Sequence, residues 1–437
     1  MGRVRCGPSR GGGALSARLP PLSREVADAV ERIGKVDLLV GIPSFNNERT
    51  IGHVVRAVVA GLARHFPGAK AVLVNSDGGS TDRTREIVER TEVGSLAEIL
   101  VDAVPTGATS RIVTPYHGIP GKGSAFRTIF RIAAELEAKA CCVLDSDLRS
   151  ITPEWVELLI EPIVTHGHEF VAPLYARHRY DGTITNTIVC PLTRALYGRR
   201  IRQPIGGDFG FSGDLAARFL AFDEWEGPVA QYGIDIFMTT TAVAEGRKVA
   251  QSFLGAKIHD PKDPGSDLAP MMVQVVSTLF SLMERYEDRW KGLTGSQAVP
   301  VFGFPYTVGL EPVPVKLDRL LAQYRQAAHD LPPIWEAFLS PASLSAIRAA
   351  AHAPALALGD EAWVRIVAEA AAGFRRRALP PATLIRSLVP LYLGKVATFV
   401  AETEAGSADE AESRLEELAL AFERGKGELE ALWGSAP

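Results

Sequence analysis

The stretch "AKAVLVNSDGGSTDRTREIVERT", residues 69–91, decides the fold. Its apolar run at 71–74 is too short for a helix, is rich in valine, and stops at a polar turn with two glycines, so it reads as a buried strand. The residues from Thr84 read as a helix. The segment before it, "VDLLVGIPSFNNERTIGHVVRAVVAGLARHF", residues 36–66, has the same plan: a short apolar run bounded by Gly and Pro, then apolar positions at helical spacing from Ile51 to Leu62. Strands alternating with helices predict a parallel α/β sheet. Ligands of such sheets bind at the carboxyl ends of the strands, where both polar loops fall.

The pattern continues. A helix is expected at "REVADAVERIG" (24–34), strands at "EILVDAV" (98–104) and "SRIVTPYH" (110–117), and a helix at "GSAFRTIFRIAAELEA" (123–138) that leads into the strand "KACCVLDSD" (139–147). From Glu169 to about Lys262 strands and helices mix, with a helix expected at "TNTIVCPLTRALYG" (185–198). Beyond Pro270 the chain reads as almost wholly helical. A length of 437 residues exceeds a usual single-domain core. The expected division is a disordered segment at 1–21, a catalytic domain at 22–268 with a nucleotide-binding half at about 36–150 and an acceptor half at about 151–268, and a helical region at 269–437.

Lys+Arg 47 against Asp+Glu 51 gives a formal net charge of -4, so no electrostatic case exists for nucleic acid as the main partner. Cys6, Cys141, Cys142 and Cys190 lack paired metal-ligand spacing and read as reduced, which with an N-terminus lacking an apolar signal core predicts a cytoplasmic protein. The most apolar long stretch, "LIRSLVPLYLGKVATFV" (384–400), is interrupted by Arg386, Pro390 and Lys395, and a packed helix is expected there rather than a membrane span.

Chemistry concentrates in the loops. In "CCVLDSDLRS" (141–150), Asp145 and Asp147 would aim two carboxylates at one place if strand geometry persisted, and a divalent cation relieves that repulsion. An aspartate-rich turn with Asp147 capping a helix is the plainer reading. The loop after the first strand carries Pro43, Ser44, Asn46 and Glu48; the loop after the second carries Asp77, two glycines and Asp82. Such loops suit a nucleotide, whose ribose or base donors a carboxylate accepts, although Ser80 or Asp82 could simply cap the following helix. In "GIPGKGSAF" (118–126), Lys122 stands between glycines ahead of a helix, where an ammonium can meet phosphate. The spacing is not that of a P-loop, and no G-x-G-x-x-G opens the first helix.

The ordered series "IPSFNNE", "NSDGGSTD", "GKG", "LDSDL", "GGDFGFS" and a late "HD" resembles nucleotide-sugar glycosyltransferases of the GT-A fold, a Rossmann-like α/β sheet flanked by helices. It is most similar to the retaining group that includes glucosyl-3-phosphoglycerate synthase and mannosylglycerate synthase, from about Asp37 to about Pro264, with a looser likeness in the helical C-terminal extension. The resemblance implies that Asp147 and His259 bind a divalent metal, Mg²⁺ or Mn²⁺. It implies that Pro43, Ser44, Asn46, Glu48 and Asp77 hold the nucleotide of a UDP- or GDP-hexose, that Lys122 meets its phosphate or ribose, and that Asp145, Ser146 and Gly207 contact the donor. Asp208, in "QPIGGDFGFS", falls where an acidic residue contacts the donor sugar or sits near the reacting carbon, so Asp208 and Lys122 are the expected catalytic pair. The acceptor segment departs from the pattern. "YDGTITNTIVCPL" (180–192) keeps the family's threonine as Thr185 but has Thr183 where an arginine would fall, which removes the best bidentate partner for a phosphate or carboxylate. Arg177, Arg179 or Arg202 could replace it.

The expected activity is therefore metal-dependent transfer of a hexose from a nucleotide diphosphate sugar to a small polar acceptor such as glycerate or 3-phosphoglycerate, with retention, by a homodimer. The alternatives are an inverting family-2-like transferase acting on a lipid or polysaccharide, and a nucleotidyltransferase or a non-catalytic nucleotide-sugar binding protein.

Overall fold

A computed structural model of the chain describes residues 22–91, 110–115, 121–258, 268–306, 308–310, 312–353 and 357–434. The segment 1–21, the strand expected at 98–104 and His259 lie outside the described residues. Helix α1 (Arg24–Ile33) starts at Ser23, whose hydroxyl accepts from the Val26 amide. The expected alternation follows: β1 (Leu38–Ser44), α2 (Ile51–His65), β2 (Ala71–Asp77), α3 (Thr84–Arg90), β3 (Ser110–Pro115), α4 (Lys122–Glu135), β4 (Ala140–Val143), α5 (Glu154–Val164) and β5 (Phe170–Ala176). Then come α6 (Cys190–Tyr197), β6 (Arg199–Arg200), β7 (Phe209–Ser212), α7 (Gly213–Leu220), α8 (Ile234–Ala244) and β8 (Val249–Ala256). The last third holds α9 (Leu268–Arg285), β9 (Gln297–Ala298), β10 (Val301–Phe302), α10 (Leu317–Asp330), α11 (Pro341–His352), α12 (Asp360–Arg375), α13 (Pro381–Thr403) and α14 (Ala408–Gly434).

The main sheet runs β10-β8-β5-β7-β4-β1-β2-β3. All pairings are parallel except those of β7, which lies antiparallel between β4 and β5. Every residue of β1 and β2 is buried, because helices cover both faces of the sheet. The period of two divides β1 between two cores. Leu38, Val40 and Ile42 pack with α2 and α5 on one face, and Leu39 packs with Phe126 and Phe130 of α4 on the other.

The second core runs on into Trp335, Trp363 and Trp433, so the C-terminal helices share it, and β10 adds to the sheet edge from beyond the boundary expected at 268. Helix α13 is long and apolar enough to cross a membrane, yet 78% of its most apolar window is buried within the protein. Lys395 in that helix pairs with Asp360 at 2.6 Å. The helix expected at 185–198 begins with a π-helical turn at Thr185–Val189 and becomes α-helical only at Cys190.

The C-terminal helices brace the segment that follows β5. Arg179 donates to the carbonyls of Thr403 and Gly406, the Thr183 hydroxyl meets Tyr392 at 2.6 Å, and the Trp363 indole donates to the Thr187 carbonyl. Arg194 bridges to Glu416 and Glu423, each at 2.6 Å. Lys426 of α14 donates to the carbonyls of Leu196 and Leu293. Burial lowers its ammonium to about 8. Between pH 8 and the unfolded-state value of 10.5 the unfolded chain therefore binds more protons at this position than the native one, so this group's contribution to stability rises with pH. In urea unfolding, the difference between wild type and Lys426→Met is expected to move in favour of the wild type by about 2 kcal/mol across that window.

Candidate functional site

Strands β1, β2, β4, β5 and β8 bring their carboxyl ends to one rim of the sheet. Because β7 is antiparallel, its amino end reaches the same rim, which is how Asp208 meets the loop after β4. A cleft of about 620 Å³ runs along this edge. Sheet order sets its two ends: the β1, β2 and β4 loops form one side, and the residues after β5 and β8 form the other.

On the first side, Pro43, Ser44, Asn47, Gly78, Ser146 and Asp147 line the wall. Hydrogen bonds fix the two loops together. The Thr50 hydroxyl donates to the Ser146 carbonyl at 2.7 Å, and the Ser146 hydroxyl donates to the Asn47 side chain at 2.8 Å. Asp77 is almost fully buried behind this wall and accepts from the Ser44 hydroxyl, from the Ser80 hydroxyl and from the amides of Gly79 and Ser80. It shapes the loop rather than facing the cleft. Asn46 and Glu48 also stand off the wall. Asn46, at φ 53°, accepts from the Thr81 amide; Glu48 pairs with Arg83 at 3.3 Å. Asp82 accepts from the Thr84 amide at the start of α3, the capping role weighed above.

The centre of the cleft is a chain of buried charges. Lys122 Nζ lies 2.8 Å from Asp145 and 3.1 Å from Asp235; Lys257 Nζ lies 2.7 Å from Asp145 and 2.7 Å from Asp208. Asp208 also accepts from the Asp145 amide and the Tyr175 hydroxyl. Burial opposes ionisation of Asp145, but the ammonium groups of Lys122 and Lys257 outweigh it and hold that carboxyl well below the usual range. Burial dominates at Asp208 and Asp235 and pushes both upward, with the charge of Asp145 adding to the effect. Burial works against the charge on each lysine, yet the carboxylates prevail and raise both. Three carboxylates thus share two ammonium groups.

Glycine placement explains why these side chains reach one another. Gly207 has φ 94°, and a Cβ there would stand 2.2 Å from an Asp145 oxygen. The glycines around Lys122 let the start of α4 pack on the backbone of residues 229–231, since a Cβ on Gly123 would lie 1.9 Å from the Val229 carbonyl. Lys122 is thereby aimed at Asp145 and Asp235. Asp208 is fully buried behind Asp145 and Lys257, not on the cleft wall. Lys257, Asp235 and Tyr175 were not anticipated from the sequence. Lys257 stands two residues before the late "HD", and no local pattern marks the other two.

The fit to a divalent cation turns on Asp147. Its half-buried carboxylate lines the cleft and has no hydrogen bond or ion pair among the described residues, in contrast to Asp145. The Arg149 amide donates to the Ile258 carbonyl and the Ile258 amide donates to the Ser150 hydroxyl, so the Asp147 turn is stitched to the residue preceding His259. No cluster of three His, Cys, Asp or Glu ligands exists among the described residues. A single hard carboxylate on the cleft wall fits a cation that would take its remaining oxygens from substrate and water.

On the second side, Thr185 lines the cleft and Arg202 does not; Arg202 pairs with Glu412 and donates to Asn186. Arg179 is spent on carbonyls of the C-terminal region. Of the three arginines that could replace the missing one, Arg177 is on the wall, with its guanidinium over the Tyr175 ring and its buried Nε without a hydrogen-bond partner among the described residues.

A mostly parallel sheet with one reversed central strand, a rim cleft carrying the Asp145–Asp147 turn, and helices packed beyond it define a glycosyltransferase of the GT-A fold. The chain belongs to the mannosylglycerate synthase family, whose glycosyltransferase-domain model matches residues 39–281. Among solved structures it is similar to glucosyl-3-phosphoglycerate synthase from Mycobacterium tuberculosis. The form with Mn²⁺, UDP and phosphoglyceric acid is 23% identical, with 61% of this chain and 84% of that chain covered and a TM-score of 0.42. The form with Mg²⁺ and UDP is 23% identical over 60% and 84%, with a TM-score of 0.43. The form with Mn²⁺, UDP and glucosyl-3-phosphoglycerate is 21% identical over 68% and 95%, with a TM-score of 0.42. No curated protein sequence matches the chain.

Proposed function

We propose that the protein transfers a hexose from a UDP- or GDP-sugar to a hydroxyl of a small carboxylate-bearing acceptor, with a divalent cation at Asp147 and His259 and with retention of configuration. The observation that carries this reading is the Asp147 carboxylate, which lines the cleft without a hydrogen bond or ion pair among the described residues, beside the paired Lys122–Asp145–Lys257 chain. A Mg²⁺ or Mn²⁺ held by Asp147 and His259 would supply positive charge that stabilises a leaving diphosphate. Lys122 adds a fixed ammonium near the same charge, already oriented by Asp145 and Asp235. Asp145, ionised at neutral pH, faces the positive charge that develops on the sugar. Arg177 holds the acceptor carboxylate and Thr185 stands beside it.

Full burial removes Asp208 as the base of an inverting reaction. An inverting reaction needs a base that reaches the acceptor from the cleft, and Asp208 is sealed behind Lys257. It positions Lys257 and the Asp145 amide instead. The test begins with thermal shifts against UDP, GDP and ADP, each with Mn²⁺ or chelator; one nucleotide family is expected to raise the melting temperature only with metal. Proton NMR of the product then reads the anomeric configuration. Inversion, or no metal-dependent shift with any nucleotide, would overturn the respective part of the reading.

A further inference from the structure

We propose that the acceptor is a hydroxy acid with a single carboxylate and an apolar arm, rather than a phosphorylated glycerate; this deepens, and rests on, the transferase reading above. Charge argues first. Among the described residues, the cleft wall carries the cations Lys122, Arg177 and Lys257 against the carboxylates Asp145, Asp147, Asp181 and Asp235. Both lysines are held by carboxylates within 3.1 Å. That leaves Arg177, whose guanidinium lies 3.8 Å from Asp181, to meet an acid. Burial and the neighbouring Arg179 charge keep His178 below its usual range, so it adds no second cation at neutral pH. A phosphate would bring about 1.5 to 2 further negative charges into this balance.

The position where the related pattern has an arginine reinforces the point. Thr183 is buried and its hydroxyl is engaged with Tyr392 of α13, so no charge can be accommodated there without displacing the brace. The apolar wall supplies the other half of the argument. Leu268, Met271 and Val275 of α9 and Leu310, Pro312 and Val313 line the same cleft, and Leu310 and Tyr232 remain 36% and 43% exposed there. Six apolar side chains and one arginine in the lining of one cleft match a ligand that is anionic at one end and apolar at the other. Bare glycerate would leave that surface in water.

Calorimetry with nucleotide and Mn²⁺ saturating, using glycerate, 3-phosphoglycerate and 3-phenyllactate as probes, tests the proposal. Phenyllactate is expected to bind at least about tenfold tighter than glycerate, in line with what apolar contacts contribute to discrimination, and 3-phosphoglycerate is expected to bind more weakly than glycerate. Met271→Glu should bring phenyllactate to the level of glycerate while nucleotide affinity stays unchanged; Arg177→Gln should weaken both acids. Tightest binding by 3-phosphoglycerate, or phenyllactate no tighter than glycerate, would overturn the inference while nucleotide binding upheld the transferase reading. Absence of nucleotide binding would overturn both.

Discussion

Replacing Lys257 with methionine is expected to cost about 3–5 kcal/mol of stability and most of the transfer activity, because it breaks a buried pair and leaves the partner charges uncompensated. Lys257 is almost fully buried and is shared by Asp145 and Asp208, which are themselves joined through the Asp145 amide. Methionine keeps much of the volume and removes the charge. The pH dependence separates electrostatics from packing. Asp145 is depressed in the native state, so its contribution to stability is present above its ordinary value of 3.8 and is lost as pH falls below it. Lys257 supplies part of that depression. The stability gap between wild type and Lys257→Met, read from urea midpoints, should therefore narrow from pH 7 toward pH 3. A gap independent of pH would show that Lys257 matters only as a space-filling residue.

The sequence discloses strands and helices of the nucleotide-binding half because their patterns are clean: β1 and β2 open on short apolar runs, and α2 has an apolar face. It also discloses that Asp145 and Asp147 share a turn. What it hides is how differently the two behave. The partners of Asp145 come from 23 residues upstream and 112 downstream, and only the order of the sheet brings β8 to the same rim as β4. Asp208 reads from the sequence as an aspartate at the donor sugar, but its depth depends on β7 being reversed, which four residues do not announce. Glu48, Asn46 and Asp77 read as ligands because they are polar and sit in loops; in the structure they tie the loops after β1 and β2 to each other. Arg202 misled for the opposite reason. Its partner Glu412 lies 210 residues away in a helix whose only legible property was its amphipathic period.

Asp147→Ala should leave the fold nearly untouched and abolish metal-dependent function. Its carboxylate makes no hydrogen bond or ion pair among the described residues, so the expected change in stability is within about 1 kcal/mol, as for an ordinary half-exposed position. Activity is another matter. If a cation bound there supplies several kcal/mol of charge stabilisation to the leaving diphosphate, kcat/KM should fall on the order of a thousandfold. Nucleotide binding gives a sharper test than rate, because the two conditions have opposite signs. With Mn²⁺ the wild type should bind the nucleotide much more tightly than Asp147→Ala. With chelator the order should level or reverse, since the variant has removed a carboxylate that repels the diphosphate across a cleft already holding Asp145 and Asp235. Unchanged Mn²⁺-dependent affinity in the variant would remove Asp147 from the metal site, and the reading of the Asp145–Asp147 turn would revert to the capped turn that the sequence alone also allowed.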